Sequence, residues 1–202
     1  MSDSKKNTAG LGEALERFHR LWDESRKSEP WEADAMTLAT VSPGGQPRAR
    51  TVLLKQADGD GFVFYTNYES RKGEDLAANP LAALCFFWRT LRRQVMVEGR
   101  VRKLDPAASD AYFASRHHLS RLSAWASRQS RALQSRAELE TRIEELERRY
   151  AGTDIPRPAH WGGYVLEPDM IEFWAPGEGR LNERERFVRD ADGRWRFELL
   201  NP

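Results

Sequence analysis

The feature that most constrains the fold is a series of short β-forming segments separated by tight-turn sequences between residues 36 and 101. The segments are Met36–Val41, Arg48–Lys55, Phe62–Thr66, Ala82–Trp88 and Gln94–Val101. Two connections, Ser42-Pro-Gly-Gly-Gln46 and Asp58-Gly-Asp-Gly61, contain the residues that tight chain reversals favour. Strands joined by such short connections pair antiparallel with their neighbours. The pattern therefore predicts an antiparallel meander or barrel.

Helical patterns lie on both sides of this β-rich region. Residues 1–10 are polar and are expected to form a disordered tail. A helix is predicted over residues 11–28, because the apolar residues of this stretch recur on one helical face. These residues are Leu11, Leu15, Phe18, Leu21 and Trp22. A helical insertion is predicted over residues 105–150, where Asp105-Pro106 provides an N-cap followed by proline at the first helical position.

The C-terminal region, residues 161–202, returns to strand patterns. The predicted strands are Trp161–Leu166, Met170–Trp174, Glu185–Arg189 and Trp195–Leu199. They are too few to fold alone, so we expect them to complete the same sheet. The predicted fold class is α+β, with a single domain over residues 11–202 in which helices flank a β-barrel.

Charge and composition exclude several functional classes. The 202 residues carry 32 Lys and Arg against 31 Asp and Glu, a net charge of +1, which argues against non-specific nucleic-acid binding. No apolar run approaches the roughly 18–20 residues that span a bilayer, and the polar start does not resemble a secretory signal. The single cysteine, Cys85, excludes an intramolecular disulfide and a cysteine-based zinc site. We expect a cytoplasmic protein that binds neither nucleic acid nor membrane, with no metal site.

Two groups of cations could bind an anion. Arg71 and Lys72 follow a strand and open a short helix, where free backbone N–H groups and the helix dipole favour a phosphate. The alternative is a solvated helix start. Arg48 and Arg50 share one face of a strand, with Lys55 on the opposite face if the strand is regular. They either face an anion or form a charged barrel rim.

Two further patterns suit a flat, phosphorylated ligand. Tyr112, Arg116 and Ser120 are spaced four residues apart and would share a face of one continuous helix, although ordinary surface polarity gives the same pattern. Trp174 precedes a segment with Arg180 and Arg184, and an aromatic ring beside cations can hold a flat anion. The alternative is a core tryptophan next to a charged hairpin.

Eight segments together resemble the pyridoxine/pyridoxamine 5′-phosphate oxidase family, in the order of its motifs and with nearly their spacing, over about residues 31–202. They are RTVLLK (50–55), FYTN (64–67), SRKG (70–73), RQVMVEG (93–99), YFASR with Ser120 (112–120), AWASRQS (124–130), PRPAHWGGY (156–164) and IEFW with GRLNER (171–184). One such motif would be weak, but eight in register are specific.

The resemblance implies a six-stranded antiparallel split β-barrel with flanking helices, which binds FMN as a homodimer with its sites at the subunit interface. The implied FMN contacts are Arg50, Thr51, Val52, Leu53, Lys55, Tyr65, Thr66, Arg71, Lys72, Gln94, Gln129, Ser130, Trp174 and Arg184. The implied substrate contacts are Lys55, Tyr112, Arg116, Ser120, Arg180 and Asn182. Of these, Arg180 and Asn182 are the implied catalytic positions.

The activity that the resemblance implies is oxidation of pyridoxamine or pyridoxine 5′-phosphate to pyridoxal 5′-phosphate, with O2 as acceptor and H2O2 as product. A second hypothesis is a related flavin oxidase that acts on another flat anionic substrate, as in the phenazine-pathway branch. A third is a non-catalytic protein that binds pyridoxal phosphate or flavin.

Three positions depart from the family pattern. Asn182 replaces the histidine of the family's R-L-H-[DE]-R motif, and asparagine forms hydrogen bonds but does not titrate near pH 7. His117-His118 follows Arg116 where the family usually has proline and a charged residue. The N-terminal region lacks the arginine-rich segment that closes over the substrate in some members. These departures bear on rate and substrate choice more than on fold.

Overall fold

The computed structural model describes residues 9–202. Within that range the chain has five α-helices, a 3-10 turn and nine strands in one antiparallel sheet. The helices are α1 (Ala9–Ser28), α2 (Arg71–Ala78), α3 (Pro106–Ser115), α4 (His118–Ala126) and α5 (Arg136–Arg149). The strands are β1 (Ala35–Val41), β2 (Pro47–Leu53), β3 (Gln56–Asp58), β4 (Gly61–Asn67), β5 (Leu81–Trp88), β6 (Arg93–Lys103), β7 (Trp161–Ala175), β8 (Glu183–Arg189) and β9 (Trp195–Leu199). The predicted α+β class with an antiparallel sheet is confirmed.

The sheet has nine strands in the described residues, where six were expected. Its order is β2-β1-β5-β6-β7-β4-β3, and β8 pairs with β7 and β9. The additional strands are the three-residue β3 at one edge and the β8–β9 pair, which extends the sheet beside β7. The two strands predicted over 161–174 are one strand, β7, because its pairing with β6 continues through a register shift at Glu98 and Gly99. Gly99 is needed there, since a Cβ would lie 2.0 Å from the Glu167 carbonyl oxygen.

The first helix is longer than predicted. It begins at Ala9, so the last two residues of the predicted disordered tail (1–10) are helical, and residues 1–8 lie outside the described residues. Gly10 lies close to Trp195 of β9, where a Cβ on Gly10 would lie 2.6 Å from the Trp195 Cβ. The start of the helix therefore packs against a C-terminal strand.

Aromatic packing attaches α1 to the sheet. Phe18 has no exposed surface, and its ring centroid lies 5.0 Å from that of Phe62 and 5.1 Å from that of Phe86. Burying a side chain of this size contributes about 1.5–3 kcal/mol. The helix thus shares one core with β4 and β5.

The predicted helical insertion, residues 105–150, consists of three helices. Asp105 caps α3 by accepting a hydrogen bond from the Ala107 amide at 2.8 Å, and Ser135 caps α5 by accepting from the Glu138 amide at 3.2 Å. These helices cover a second apolar cluster beside the sheet, which includes Phe113, Leu122, Tyr150 and Trp161. Among residues 9–202, no helix combines the length and apolar character of a membrane span.

Candidate active site

A cavity of about 1000 Å³ opens beside β2, between the end of β4, the start of α2 and the helices α3 and α4. Thirteen of the sequence-predicted site residues line it. They are Arg50, Thr51, Val52, Leu53, Lys55, Tyr65, Thr66, Arg71, Lys72, Tyr112, Arg116, Gln129 and Ser130. The fold therefore brings together residues from five separate parts of the sequence.

The wall formed by β2 carries two arginines on one face. Arg48 and Arg50 pair with the buried residues Thr40 and Leu38 of β1, and Arg50 Nη1 donates to the Leu38 carbonyl at 3.0 Å. Lys55 lines the same cavity, although regular alternation would place it on the opposite face. The reason is that β2 ends at Leu53, after which the chain is held by other backbone bonds, including Lys55 N–H to the Val63 carbonyl at 2.8 Å.

A fully buried carboxylate holds these two arginines. Asp75 of α2 accepts hydrogen bonds from Thr40 Oγ1 at 2.7 Å and Arg48 Nη1 at 2.8 Å, and its Oδ2 lies 3.5 Å from Arg50 Nη2. Burial lowers the pKa of Arg50, an effect that Asp75 opposes and the Arg48 charge reinforces. Asp75 does not line the cavity, and the sequence reasoning did not identify it.

Lys72 is the most buried cation of the site, with 8% of its surface exposed. Its Nζ donates to Gln129 Oε1 at 2.9 Å, Thr66 Oγ1 at 3.1 Å and Ser70 Oγ at 3.3 Å, all of them neutral acceptors. Burial, followed by repulsion from Arg50, lowers the pKa of Lys72 to about 8. A buried ammonium without a carboxylate is favourable only if an anion comes to it.

The start of α2 places backbone N–H groups beside Lys72. Ser70 is the N-cap, and its Oγ accepts from the Gly73 amide at 3.4 Å. Gly73 lets the helix approach the preceding turn, since a Cβ would lie 2.0 Å from the Tyr68 carbonyl oxygen. Arg71, the first helical residue, is exposed at the cavity. This arrangement combines a helix N-terminus with two cations.

The cavity lining is strongly positive. Six cations line it and no aspartate or glutamate does. Among residues 9–202, only Arg48 and Arg50 of these six lie within 4.0 Å of a carboxylate, that of Asp75. The others are Lys55, Arg71, Lys72 and Arg116. The site is therefore built for a ligand with more than one negative charge.

Three stacked aromatic rings, those of Tyr65, Tyr112 and Trp161, line the cavity. The ring centroids of Tyr65 and Tyr112 lie 3.9 Å apart at 20°, and that of Trp161 lies 5.5 Å from Tyr65 at 14°. The Arg116 guanidinium carbon lies 4.5 Å from the Trp161 ring centroid. Burial lowers the pKa of Arg116 and raises that of Tyr65.

The helix that was predicted to carry Tyr112, Arg116 and Ser120 on one face is broken. Arg116 ends α3 with extended backbone angles, and α4 begins two residues later, after His117. Tyr112 and Arg116 line the cavity, whereas Ser120 lies in α4 and does not. The prediction of one continuous face was wrong, because the chain turns between the two helices. His118 lies at this turn with its Nε2 3.9 Å from Glu147, away from the cavity.

Gln94, Trp174 and Arg184 form one row across β6, β7 and β8, and none of them lines the cavity. Arg184 makes a two-pronged ion pair with Glu172, from Nε at 2.9 Å and from Nη2 at 3.2 Å. Hydrogen bonding to Glu172 raises the pKa of Arg184. Trp174 borders a separate cavity of about 300 Å³ beside α1.

Arg180 and Asn182 lie in the loop between β7 and β8 and also do not line the cavity. Arg180 is exposed and has a φ of 67°, in the left-handed region. Asn182 Oδ1 accepts from the Gly177 amide at 3.3 Å, and the Asn182 amide donates to the Arg180 carbonyl at 2.8 Å. Asn182 thus fixes the loop that presents Arg180.

Seven lining residues were not among the predicted site residues. They are Arg48, Ala49, Asn67, Ser123, Ala124, Ser127 and Trp161. Strand alternation, which places Arg48 on the same face as Arg50, could have identified Arg48. Ser123 and Ser127 lie within or beside the AWASRQS segment. Nothing in the sequence marked Trp161 as part of the aromatic stack.

Comparison with known proteins adds an independent finding. Residues 23–150 match the family model described as pyridoxamine 5′-phosphate oxidase, and residues 161–202 match the pyridoxine 5′-phosphate oxidase C-terminal dimerisation region. A pyridoxine/pyridoxamine 5′-phosphate oxidase from Myxococcus xanthus (strain DK1622) is 50% identical over 188 residues, covering 93% of this chain and 91% of the relative. One of the same name from Bordetella petrii is 52% identical, with coverage of 93% and 89%.

Solved structures share the fold of this chain. PhzG from Burkholderia lata 383, in complex with tetrahydrophenazine-1-carboxylic acid, is 32% identical with a TM-score of 0.84, covering 93% of this chain and 90% of PhzG. A pyridoxamine 5′-phosphate oxidase-related, FMN-binding protein from Nostoc punctiforme shares the fold at 21% identity, with a TM-score of 0.69 and 95% coverage of each chain. With family models over most of its length and relatives at half identity, this chain belongs to the pyridoxine/pyridoxamine 5′-phosphate oxidase family.

Proposed function

We propose that this chain is an FMN-dependent oxidase that converts pyridoxamine or pyridoxine 5′-phosphate to pyridoxal 5′-phosphate, with O2 reduced to H2O2. The observation that carries the proposal is the buried Lys72, which lies at a helix start and has only neutral partners among the described residues. An anionic ligand would compensate such a cation. Family membership supports a phosphorylated flavin as that ligand.

The residues around the cavity fit FMN. Arg71, Lys72 and the first amides of α2 would hold its phosphate, since they combine charge-assisted donors with the positive end of a helix. The polar edge of β2, from Arg50 to Leu53, would face the flavin ring, and Gln129 and Ser130 would close the site. When bound, FMN supplies the two-electron redox chemistry, so the protein acts by binding, orientation and electrostatics.

We propose further that the molecule is a homodimer of split barrels in which each site takes residues from both copies. Gln94, Trp174 and Arg184 share one row across the sheet, away from the cavity of their own chain. A second copy that covers this face would bring the row to the neighbouring cavity. The match of residues 161–202 to a dimerisation region supports this arrangement, because Trp174 and Arg184 both lie in it.

For the substrate, Lys55, Tyr112, Arg116 and Ser120 would bind the phosphate group. Lys55, Tyr112 and Arg116 line the same cavity, and Ser120 would join them through a shift of α4. Arg180 would lie over the substrate ring from the β7–β8 loop. Arginine remains charged at neutral pH, so its role is to orient the substrate and stabilise negative charge rather than to accept a proton. Asn182 would hold that loop and donate a hydrogen bond.

The test is flavin content together with turnover. Protein purified without added flavin should be yellow, with about one FMN per chain, and should consume O2 and form H2O2 and pyridoxal phosphate from pyridoxine phosphate. Unphosphorylated pyridoxine is the matched control, because it lacks the group that the cationic lining binds. A yellow protein that forms no pyridoxal phosphate from either phosphorylated substrate would contradict the proposal.

A second candidate is an oxidase for another flat, anionic substrate. It is favoured by the likeness to PhzG and by Asn182, which stands where the family motif has histidine. The same O2-consumption assay with a tricyclic carboxylate distinguishes the two. Faster turnover of that compound than of pyridoxine phosphate would favour this candidate. Retention of Lys55, Tyr112 and Arg116 at one cavity favours the phosphorylated substrate.

A further inference from the structure

We propose that Trp161 is a positioning residue for the phosphate end of the substrate, and that it acts by holding the Arg116 guanidinium against its indole face. The inference rests on the proposed function, in which Arg116 binds the substrate phosphate. Trp161 lies at the start of β7, lines the cavity and has 7% of its surface exposed.

The backbone that carries the indole is fixed by pairing and hydrogen bonds. Trp161 pairs with Asn67 of β4, its amide donates to the Pro158 carbonyl at 3.0 Å, and its carbonyl accepts from Arg157 Nη1 at 2.6 Å. Phe113 packs against the indole edge-on, with ring centroids 5.2 Å apart. With Phe113 at its edge and Tyr65 stacked 5.5 Å away, the indole is a packed surface beside the Arg116 guanidinium.

Both of the proposed phosphate contacts near α3 lie beside this ring. The Arg116 guanidinium carbon is 4.5 Å from its centroid, and the Tyr112 ring is parallel to it within 6° at 6.3 Å. Tyr65 stacks on both rings, with ring centroids 3.9 Å from Tyr112 and 5.5 Å from Trp161. The three rings therefore form one packed cluster beside Arg116.

Within residues 9–202 the other aromatic contact of Arg116 is looser, since its guanidinium carbon lies 5.7 Å from the Phe113 ring centroid. Arg116 lies at the break between α3 and α4, and none of residues 9–202 places a carboxylate within 4.0 Å of it. Its Nη1 is buried and has no hydrogen-bond partner within that range. A buried donor without an acceptor is costly and calls for an explanation.

An aromatic face suits this role better than a carboxylate would. The ring quadrupole attracts the cation without neutralising its charge and without using its N–H groups. A carboxylate at the same place would occupy those donors and compete with the phosphate. Trp161 thus keeps Arg116 in place, charged and with free donors, before the substrate binds.

The test compares two substitutions of Trp161. Trp161→Leu, which removes the ring, should raise the KM for pyridoxamine phosphate about tenfold, corresponding to about 1.4 kcal/mol, with kcat per bound flavin within about twofold. Trp161→Phe, which keeps a ring, should raise KM no more than about twofold. Trp125→Phe is the matched control, because Trp125 packs on the same cluster but does not line the cavity.

A double-mutant cycle with Arg116→Gln shows whether Trp161 acts through Arg116. In the Arg116→Gln background, Trp161→Leu should have little further effect on KM. An undiminished tenfold effect there, or equal effects of Trp161→Leu and Trp161→Phe, would overturn the inference.

Equilibrium binding of pyridoxal phosphate, followed by its absorbance, provides a readout that needs no turnover and covers the case in which Trp161→Leu does not fold. Trp161→Phe should then bind it nearly as well as the wild type, and the Arg116→Gln variant at least tenfold more weakly. Wild-type protein that binds pyridoxal phosphate without oxidising its precursors would contradict the proposed function alone. Equal binding by the wild type and Arg116→Gln would contradict the role of Trp161.

Discussion

Asp75 Oδ1 accepts a hydrogen bond from Arg48 Nη1 at 2.8 Å, from a position with no exposed surface. Its other oxygen accepts from Thr40 Oγ1 at 2.7 Å and lies 3.5 Å from Arg50 Nη2. One buried carboxylate on α2 is thus tied to two strands, β1 and β2. Because α2 also carries Lys72, this network sets the position of the helix start relative to the arginine wall.

Removing the charge of Asp75 should destabilise the protein. We expect Asp75→Asn to lower the free energy of unfolding by about 1–3 kcal/mol, because the buried donors that face it lose a charged acceptor. Arg48 and Arg50 are partly exposed and can turn to solvent, which limits the loss. Urea unfolding of the flavin-free protein measures it.

Glu140→Gln is the control for that substitution. Glu140 pairs with Arg136 on the surface of α5, at 3.0 Å and with 59% of its side chain exposed. An exposed pair contributes about 0–1 kcal/mol. Equal losses of unfolding free energy in the two variants would show that the ion pairs of Asp75 stabilise the protein no more than an exposed pair does.

The lowered pKa of Lys72 predicts that FMN binds more weakly at alkaline pH. In the free protein this pKa is about 8, whereas a bound phosphate favours the charged form and raises it. Above pH 8 the free protein has lost the proton that the complex retains. The dissociation constant should therefore rise with pH above 8, by on the order of tenfold per pH unit, and stay nearly constant between pH 7 and 8.

Quenching of flavin fluorescence on titration with protein measures this dependence. Lys72→Arg is the matched control, because a guanidinium stays charged throughout this range. Its dissociation constant should not follow the wild-type rise between pH 8 and 9.5. A wild-type curve as flat as that of the variant would mean that Lys72 does not titrate on binding.

The sequence predicted those parts of the site that depend on local pattern. Arg71 and Lys72 were placed at a helix start after a strand, and they lie there. Regular strand alternation would have placed Lys55 on the face opposite Arg48 and Arg50, and a continuous helix would have placed Ser120 beside Tyr112 and Arg116. Lys55 lines the cavity because β2 ends at Leu53, and Ser120 does not because the chain turns after Arg116.

The features that the sequence did not reveal depend on contacts between distant segments. In the sequence nothing distinguishes Asp75 from the other acidic residues, and only the fold shows that it is buried. Trp161 is likewise one of seven tryptophans in the sequence, and only the fold shows that Arg116 lies over its ring. In the same way, Gly10 at the start of α1 packs against Trp195, which lies near the other end of the chain. Propensity and periodicity are local, so they contain no information about such pairs.

Asn182 provides a further prediction, about the loop that carries Arg180. Asn182→Ala removes the acceptor for the Gly177 amide and should lower kcat/KM by roughly two- to tenfold, the effect of one net hydrogen bond of about 0.5–1.5 kcal/mol. Asn182→His should keep activity and add a pH dependence of kcat/KM near pH 6.5, since histidine titrates there and asparagine does not. Rates measured between pH 5.5 and 8 check both. If Asn182→Ala matched the wild type, the loop would need no such bond.

If each site takes residues from both copies of the dimer, two inactive variants should regain activity when they are mixed. Lys72→Met damages the cavity side of a site, and Trp174→Ala combined with Arg184→Gln damages the row on β7 and β8. Each variant alone should have little flavin and little activity. In a mixed dimer, one site combines both kinds of damage, whereas the other has an intact cavity from one chain and an intact row from its partner.

Unfolding the two variants together and refolding them at equal concentration with FMN should therefore recover activity. Random pairing makes about half of the dimers mixed, each with one intact site, so about a quarter of the wild-type activity is expected. Each variant refolded alone is the control. If every site came from a single chain, mixing would restore nothing, because Lys72, Trp174 and Arg184 would have to be intact in the same copy.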